Sequence, residues 1–249
     1  QGSYPRSGFA KFPTDSMTRM FRFSLVAALL FAGSDVLLSP LNQRLVMHPR
    51  AYAQASADLG LNAQLLVAAR NDEVGTVRRV LDRGAAPNSR NRVGDTALMI
   101  FVRKGNAEMV DLLIGKGADV NLQNLEKVSP LMAAAYNGNA GIARTLLDHD
   151  ADVNARDQLF KTAMVYAAGQ GNTAIVALLL DAGVDVNKTY HHDLTALMWA
   201  AGYGKTETVR MLLERGADPG LKDDRGKTAA QIARDAKHEE VAALLKGGE

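Results

Sequence analysis

The chain contains no cysteine. Disulfides, thiolate metal sites, cysteine nucleophiles and lipid attachment at a lipobox cysteine are therefore all excluded. Compartment is left open, because an exported protein can also dispense with disulfides. Aromatic residues are scarce, at 6% with a single tryptophan, while 47% of the chain is apolar and dominated by Leu and Ala. That mix suits close packing of slim helices better than a β-sandwich. The charge balance is also nearly empty of signal. Of 29 basic and 27 acidic residues, residues 1–53 hold six basic (Arg6, Lys11, Arg19, Arg22, Arg44, Arg50) and two acidic (Asp15, Asp35). The remaining 23 basic and 25 acidic residues leave residues 54–249 near −2, so capture of a nucleic-acid backbone is not favoured.

What is present divides the 249 residues into unequal parts. Residues 1–16 show no periodicity and read as an unstructured or non-native extension. From Met17 the pattern is that of a signal peptide: Arg19 and Arg22 precede an apolar run, Phe23–Gly33, and Ala51-Tyr52-Ala53 supplies a small-x-small cleavage signature. The run is too short for the ~20 residues of a membrane span. The expectation is a leader over 17–53, a linker over 54–60 and a mature chain with no stable membrane insertion. With no outer-membrane or lipid signal, the periplasm is the default destination and secretion the alternative.

Beyond residue 60 the sequence repeats. Thr96-Ala97-Leu98-Met99 returns as Ser129-Pro130-Leu131-Met132, Thr162-Ala163-Met164-Val165, Thr195-Ala196-Leu197-Met198 and, weakened, Thr228-Ala229-Ala230-Gln231; each step is 33 residues. Ala118-Asp119-Val120-Asn121, Ala151-Asp152-Val153-Asn154 and Val184-Asp185-Val186-Asn187 keep the same step. So do Gly105-Asn106, Gly138-Asn139, Gly171-Asn172 and Gly204-Lys205. Thr or Ser at the head of the first phrase can cap a short helix, with Pro130 at the one position where proline loses no bond. The middle glycine ends that helix. A second helix then carries the bulk, through Met109-Val110-Leu112-Leu113, Ile142-Leu146-Leu147, Ile175-Val176-Leu178-Leu179 and Val209-Leu212-Leu213. Gly84, Gly117, Gly183 and Gly216 fit the left-handed position after it, and Asp150 replaces that glycine once.

A 33-residue clock with a T-P-L-H-like phrase opening the first helix resembles the ankyrin repeat. Within that family the chain is similar to small exported, periplasmic bacterial ankyrin-repeat proteins, some of which accompany oxidative-stress enzymes. The resemblance implies an all-α repeat solenoid over 61–249, about six helix-turn-helix repeats near 61–92, 93–125, 126–158, 159–191, 192–224 and 225–249, joined by hairpin loops. It also implies binding through the hairpin tips and the concave face lined by the first helices. Two departures matter. The histidine of the phrase is absent, replaced by Met99, Met132, Val165 and Met198, so its hydrogen bonds must be lost or replaced. The glycine two residues before the Thr survives as Gly94 and Gly226 but becomes Lys127, Phe160 and Asp193.

No catalytic, cofactor or metal constellation emerges. The glycines keep the repeat register rather than forming a phosphate loop, and His191-His192 lacks a third ligand at a usable spacing, which favours a solvated tip. The expectation is thus a non-enzymatic monomer without cofactors, whose partner is another protein, an exported enzyme among the candidates. A secreted effector or enzyme inhibitor on the same array is the alternative. The expected partner-binding residues are those that vary while the framework holds: Arg103, Tyr136, Phe160, Tyr166, Tyr190, His191, His192, Trp199 and Tyr203. Phe160 at a tip either contacts a partner or packs an altered turn. Tyr166 and Trp199, one step apart, should be neighbours that either fill space between helices or form a hot spot. Tyr136 and Tyr203, further along their helices, are expected to be exposed.

Overall fold

The computed structural model describes residues 60–245; residues 1–59, on which the expected extension, leader and linker fall, and residues 246–249 lie outside the described residues. Within them the repeated phrases become twelve α-helices in six pairs, α1 (Leu61–Asn71), α2 (Val74–Asp82), α3 (Ala97–Lys104), α4 (Ala107–Gly115), α5 (Pro130–Asn137), α6 (Ala140–Asp148), α7 (Ala163–Gln170), α8 (Thr173–Asp181), α9 (Ala196–Gly202), α10 (Thr206–Glu214), α11 (Ala229–Asp235) and α12 (Glu239–Leu245). The expected all-α repeat solenoid is what the chain forms. None of these helices is long and apolar enough to cross a membrane.

The pairs stack in two layers. First helices pack in series from α1 through α3, α5, α7 and α9 to α11, and second helices from α4 through α6, α8 and α10 to α12. Small residues allow the first layer to close up: Ala133, Ala134, Ala135, Ala167, Ala168, Ala200 and Ala201 are all buried. The bulk sits between the layers, where Phe101, Met109, Leu113, Leu146, Ile175, Leu179 and Leu212 have essentially no exposure. Each such side chain contributes about 1.5–3 kcal/mol of burial, and neighbouring pairs share that burial. This is why no single repeat could stand alone.

Helix ends follow the sequence closely. Thr96, Ser129, Thr195 and Thr228 each accept a hydrogen bond from the backbone N–H three residues on. In two pairs the methionine that replaces the family histidine closes the cap from the other side, its sulfur accepting from the N–H of Ser129 or Thr195 at 3.5 Å. Thr162 is the exception to the expected caps. Its hydroxyl makes no cap bond, and Val165 has no sulfur to return one. The buried Thr162 hydroxyl instead faces that of Tyr190, and the two approach without reaching a well-formed bond.

The second helices are followed by left-handed residues, Gly84, Gly117, Asp150, Gly183 and Gly216, at φ between 62° and 92°. The loops between pairs contain no β-strand among the described residues. Each is closed by a backbone bond from the first residue's N–H, from Asn91 to Asp95, Asn124 to Val128, Asp157 to Lys161, Tyr190 to Leu194 and Asp223 to Lys227, and all but the fourth add a second, from Gly94 to Asn91, Lys127 to Asn124, Phe160 to Asp157 and Gly226 to Asp223. Only the fourth adds an antiparallel bridge, between Thr189 and Thr195.

Candidate protein-binding surface

Four of the five tips share a design that their sequences do not advertise. Asn91, Asn124, Asp157 and Asp223 each turn a side-chain oxygen inward to accept two backbone N–H groups of their own tip, at 2.8–3.0 Å. This Asx device fixes the turn without a strand. The residue three places on is left-handed at every tip, whether glycine or not: Gly94, Lys127, Phe160, Asp193 and Gly226 have φ of 81°, 58°, 59°, 54° and 76°. The conformation has outlived the glycine. For Phe160 it is a strained one, costing roughly 1–2 kcal/mol. The ring so placed is 53% exposed.

Around Phe160 the tips expose apolar side chains. Leu125 is 65% exposed, Leu159 63% and Val93 40%. All lie on the first three tips, whereas the fourth and fifth present His191, His192, Asp193, Asp224 and Arg225. The Phe160 ring stacks on His191 at 5.3 Å, His191 meets His192 edge-on at 4.0 Å, and His192 Nδ1 lies 2.6 Å from Asp224 Oδ2. A chain of ring contacts and one hydrogen bond thus runs from the third tip to the fifth. No cluster of three metal-ligating side chains occurs among the described residues.

The first helices add an aromatic group beside these tips. Tyr136 meets Tyr166 edge-on at 5.9 Å, and Trp199 stacks with Tyr203 at 6.2 Å. Lys161, the residue after Phe160, joins the two pairs: its Nζ stands 5.6 Å from the ring centroids of both Tyr166 and Trp199. Burial pulls the Lys161 ammonium below its usual range, opposed by the nearby Asp157 carboxylate. Burial, followed by the 2.5 Å hydrogen bond that its hydroxyl donates to Asp157, pushes the Tyr166 phenol well up. Burial also raises the Tyr203 phenol.

The sequence of helix pairs, the Asx tips and the left-handed residues recur on one 33-residue period, and a profile for ankyrin repeats in three copies matches residues 65–157 and 155–223. The chain belongs to the ankyrin-repeat family. No curated protein sequence matches it. Ankyrin repeats generally mediate protein–protein interaction and are typically non-catalytic.

On this ankyrin array the predicted contact residues fall into three groups. Phe160, His191 and His192 are exposed at the tips. Tyr166 and Trp199 are neighbours, each half-buried, with Lys161 between them. The remaining four differ from expectation or are committed within the fold. Tyr136 and Tyr203 are half-buried rather than exposed, because each ring lies against another and Tyr203 also lies over Gly169, whose missing side chain leaves it room. Arg103 is half-buried with its Nη1 2.5 Å from Asp95, which in turn accepts from Asn124. Tyr190 is half-buried with its hydroxyl turned inward to Thr162, and burial pushes that hydroxyl up to about 12.

Leu125 and Leu159 belong to the variable tip positions from which contacts are expected, whereas Lys161 does not. Lys161 carried no signal of its own, since Asp95, Val128, Leu194 and Lys227 occupy the same register in the other repeats.

Proposed function

We propose that this ankyrin array is a non-catalytic binding protein acting outside the cytoplasm, which holds another protein on its hairpin tips and the adjoining face of its first helices. The observation that carries the reading is the gathering of exposed Leu125, Leu159 and Phe160 beside the half-buried rings of Tyr166, Trp199 and Tyr203. Apolar anchors beside aromatic side chains are where binding energy concentrates in protein interfaces. Phe160 holds a strained left-handed backbone while its ring, stacked on His191, stays half in solvent. The location rests on the sequence alone: the basic residues, apolar run and small-x-small signature of residues 17–53. An exported enzyme is the partner this location favours.

The test is a photo-crosslinking amino acid placed at Leu159, and separately at the exposed Arg144 on α6, in the full chain expressed in a bacterial host and followed by cell fractionation. The expected result is a discrete crosslinked protein from the Leu159 probe in the fraction outside the cytoplasm and none from Arg144. Identical products from both positions, or a chain confined to the cytoplasm, contradict the reading. Recovery solely from the culture medium supports the secreted effector or inhibitor instead.

A further inference from the structure

Among the described residues, Phe160 is the one phenylalanine, tyrosine or tryptophan that is exposed rather than half-buried or buried. An exposed side chain ordinarily samples its rotamers and loses that freedom on binding. Phe160 is fixed beforehand, in steps. Its backbone is set by its own tip: φ is 59°, and its N–H donates to the Asp157 carbonyl at 3.1 Å. Its ring lies against His191 of the following tip, the two planes within 15° of parallel and the centroids 5.3 Å apart.

His191 is itself exposed and has to be held in turn. His192, left-handed at φ 63°, meets it edge-on at 4.0 Å. His192 is tied to the fifth tip at both its ends. Its Nδ1–H donates to Asp224 Oδ2 at 2.6 Å, and its carbonyl accepts from the Asp224 N–H at 3.2 Å. A carboxylate only accepts, so the side-chain bond also fixes which imidazole nitrogen carries the proton. The fifth tip is firm, because the buried Asp223 carboxylate accepts from the N–H groups of Arg225 and Lys227 and pairs with the Arg225 guanidinium. His191, His192 and Asp224 are all exposed, so these contacts add little to folding stability. What they govern is the direction of one ring.

We infer that His191, backed by His192 and Asp224, is a positioning residue that holds the Phe160 ring in the conformation in which it meets the partner. The fourth and fifth tips thereby act on the binding surface without touching what it binds. This inference rests on the binding role proposed above and deepens it: His191 and His192, expected from sequence as contacts, work through Phe160 instead.

The experiment has a ligand-free arm and a partner arm, both on the full chain. In the first, 4-fluorophenylalanine replaces Phe160, and its fluorine resonance should be displaced from the position it takes in the urea-unfolded chain. His191→Ala should move the resonance at least halfway back to the unfolded position. Asp224→Ala should move it in the same direction by less. Asp224→Asn, which still offers an acceptor to the His192 Nδ1–H, should leave it in place, as should Lys222→Ala at an exposed position of the same arm. Urea midpoints matching the parent's establish that the variants fold and that the brace is not a source of stability. In the second arm the Leu159 crosslink is read. His191→Ala should lower its yield at least threefold, and should lower it no further once Phe160→Ala is present, because a residue acting through Phe160 then has nothing left to act on.

A resonance unmoved by His191→Ala, or moved only in variants whose urea midpoint also falls, overturns the positioning role and leaves the three residues as a stitch between tips. A loss of crosslink from His191→Ala that persists beside Phe160→Ala overturns it too, since His191 then touches the partner itself; the binding role stands in both cases. Absence of any crosslink in the parent chain contradicts the binding role, and the fluorine resonance then judges the positioning alone.

Discussion

The joint between the second and third tips and the joint between the third and fourth are built from nearly the same sequence phrases, yet only the first has a polar ladder. Asn121 accepts from the Asp152 N–H at 2.8 Å and donates to the Asp150 carbonyl at 3.0 Å. Gln158 N–H donates to the Glu126 carbonyl, and the Gln123 side chain to that of Arg156. At the next joint, among the described residues, none of these four bonds has a counterpart. Asn154 accepts from the Lys188 ammonium of the following arm rather than from its backbone, and the stacked rings of Phe160 and His191 stand where the tip-to-tip bond would be. One step later the ladder resumes, with Asn187 accepting from the Asp218 N–H and Asp224 N–H donating to His192.

The interruption has local causes. Tyr190 stands where the other tips have Asn or Asp, so the fourth tip lacks the side-chain acceptor that sets its turn. His192 and Asp193 are both left-handed there, at φ of 63° and 54°. The same joint carries the Thr162 cap that does not form and the exposed Phe160. Framework regularity has been given up on the stretch where side chains face outward, as expected of a site whose strain is balanced elsewhere.

Substitutions can break this contrast or sharpen it. Leu179→Ala, in the core just past the joint, should cost about 2–5 kcal/mol. With tip-to-tip bonds missing here while the helices still pack across the joint as elsewhere, urea unfolding followed by circular dichroism should broaden or split, the last three helix pairs melting first; a single sharp, shifted transition would show that helix packing alone sets the cooperativity. The tips should differ next. A Cβ at Gly94 would lie 2.8 Å from the Leu125 nitrogen at φ 81°, so Gly94→Ala should cost roughly 1–3 kcal/mol. Phe160→Gly relieves a left-handed aromatic residue and should leave stability within about 1 kcal/mol of the parent, while weakening partner binding.

High pH should act on one side of the comparison. Every tyrosine among the described residues lies beyond residue 130, and folding raises the Tyr190 phenol from about 10 to about 12. The neutral phenol is the form the fold favours, so its contribution is complete below pH 10 and is lost as pH climbs towards 12. Folding stability measured from pH 9 to 11.5 should fall by up to roughly 2 kcal/mol through this group, and Tyr190→Phe should flatten that slope. The smallest effect is the most diagnostic pair. Asn121→Ala removes two rungs and should cost about 1 kcal/mol, whereas Asn154→Ala at the same register should cost less than about 0.5 kcal/mol. Equal costs would mean that the third joint is laddered after all.

The helices were legible because each depends on residues close in sequence: the capping Thr or Ser, the periodic Leu and Val, the closing glycine. Even the substituted glycines could be read, and Lys127, Phe160 and Asp193 do occupy the left-handed position that glycine would have held. What escaped the sequence depends on partners about one repeat away. Asn154 sits in the same phrase as Asn121, and nothing near it in the chain tells that its rungs are absent. Lys161 looks like any loop lysine until Trp199 is brought beside it. Tyr136 and Tyr203 were expected to be exposed from their helix positions, but ring-on-ring contact covers half of each.

Residue-resolved amide hydrogen exchange on the free chain tests the central contrast most directly. Protection should be marked at Asp152, Gln158, Asp218 and Asp224, whose N–H groups form rungs, and nearly absent at Asp185 and His191, the corresponding positions of the third joint. Uniform protection across all six amides would contradict the account.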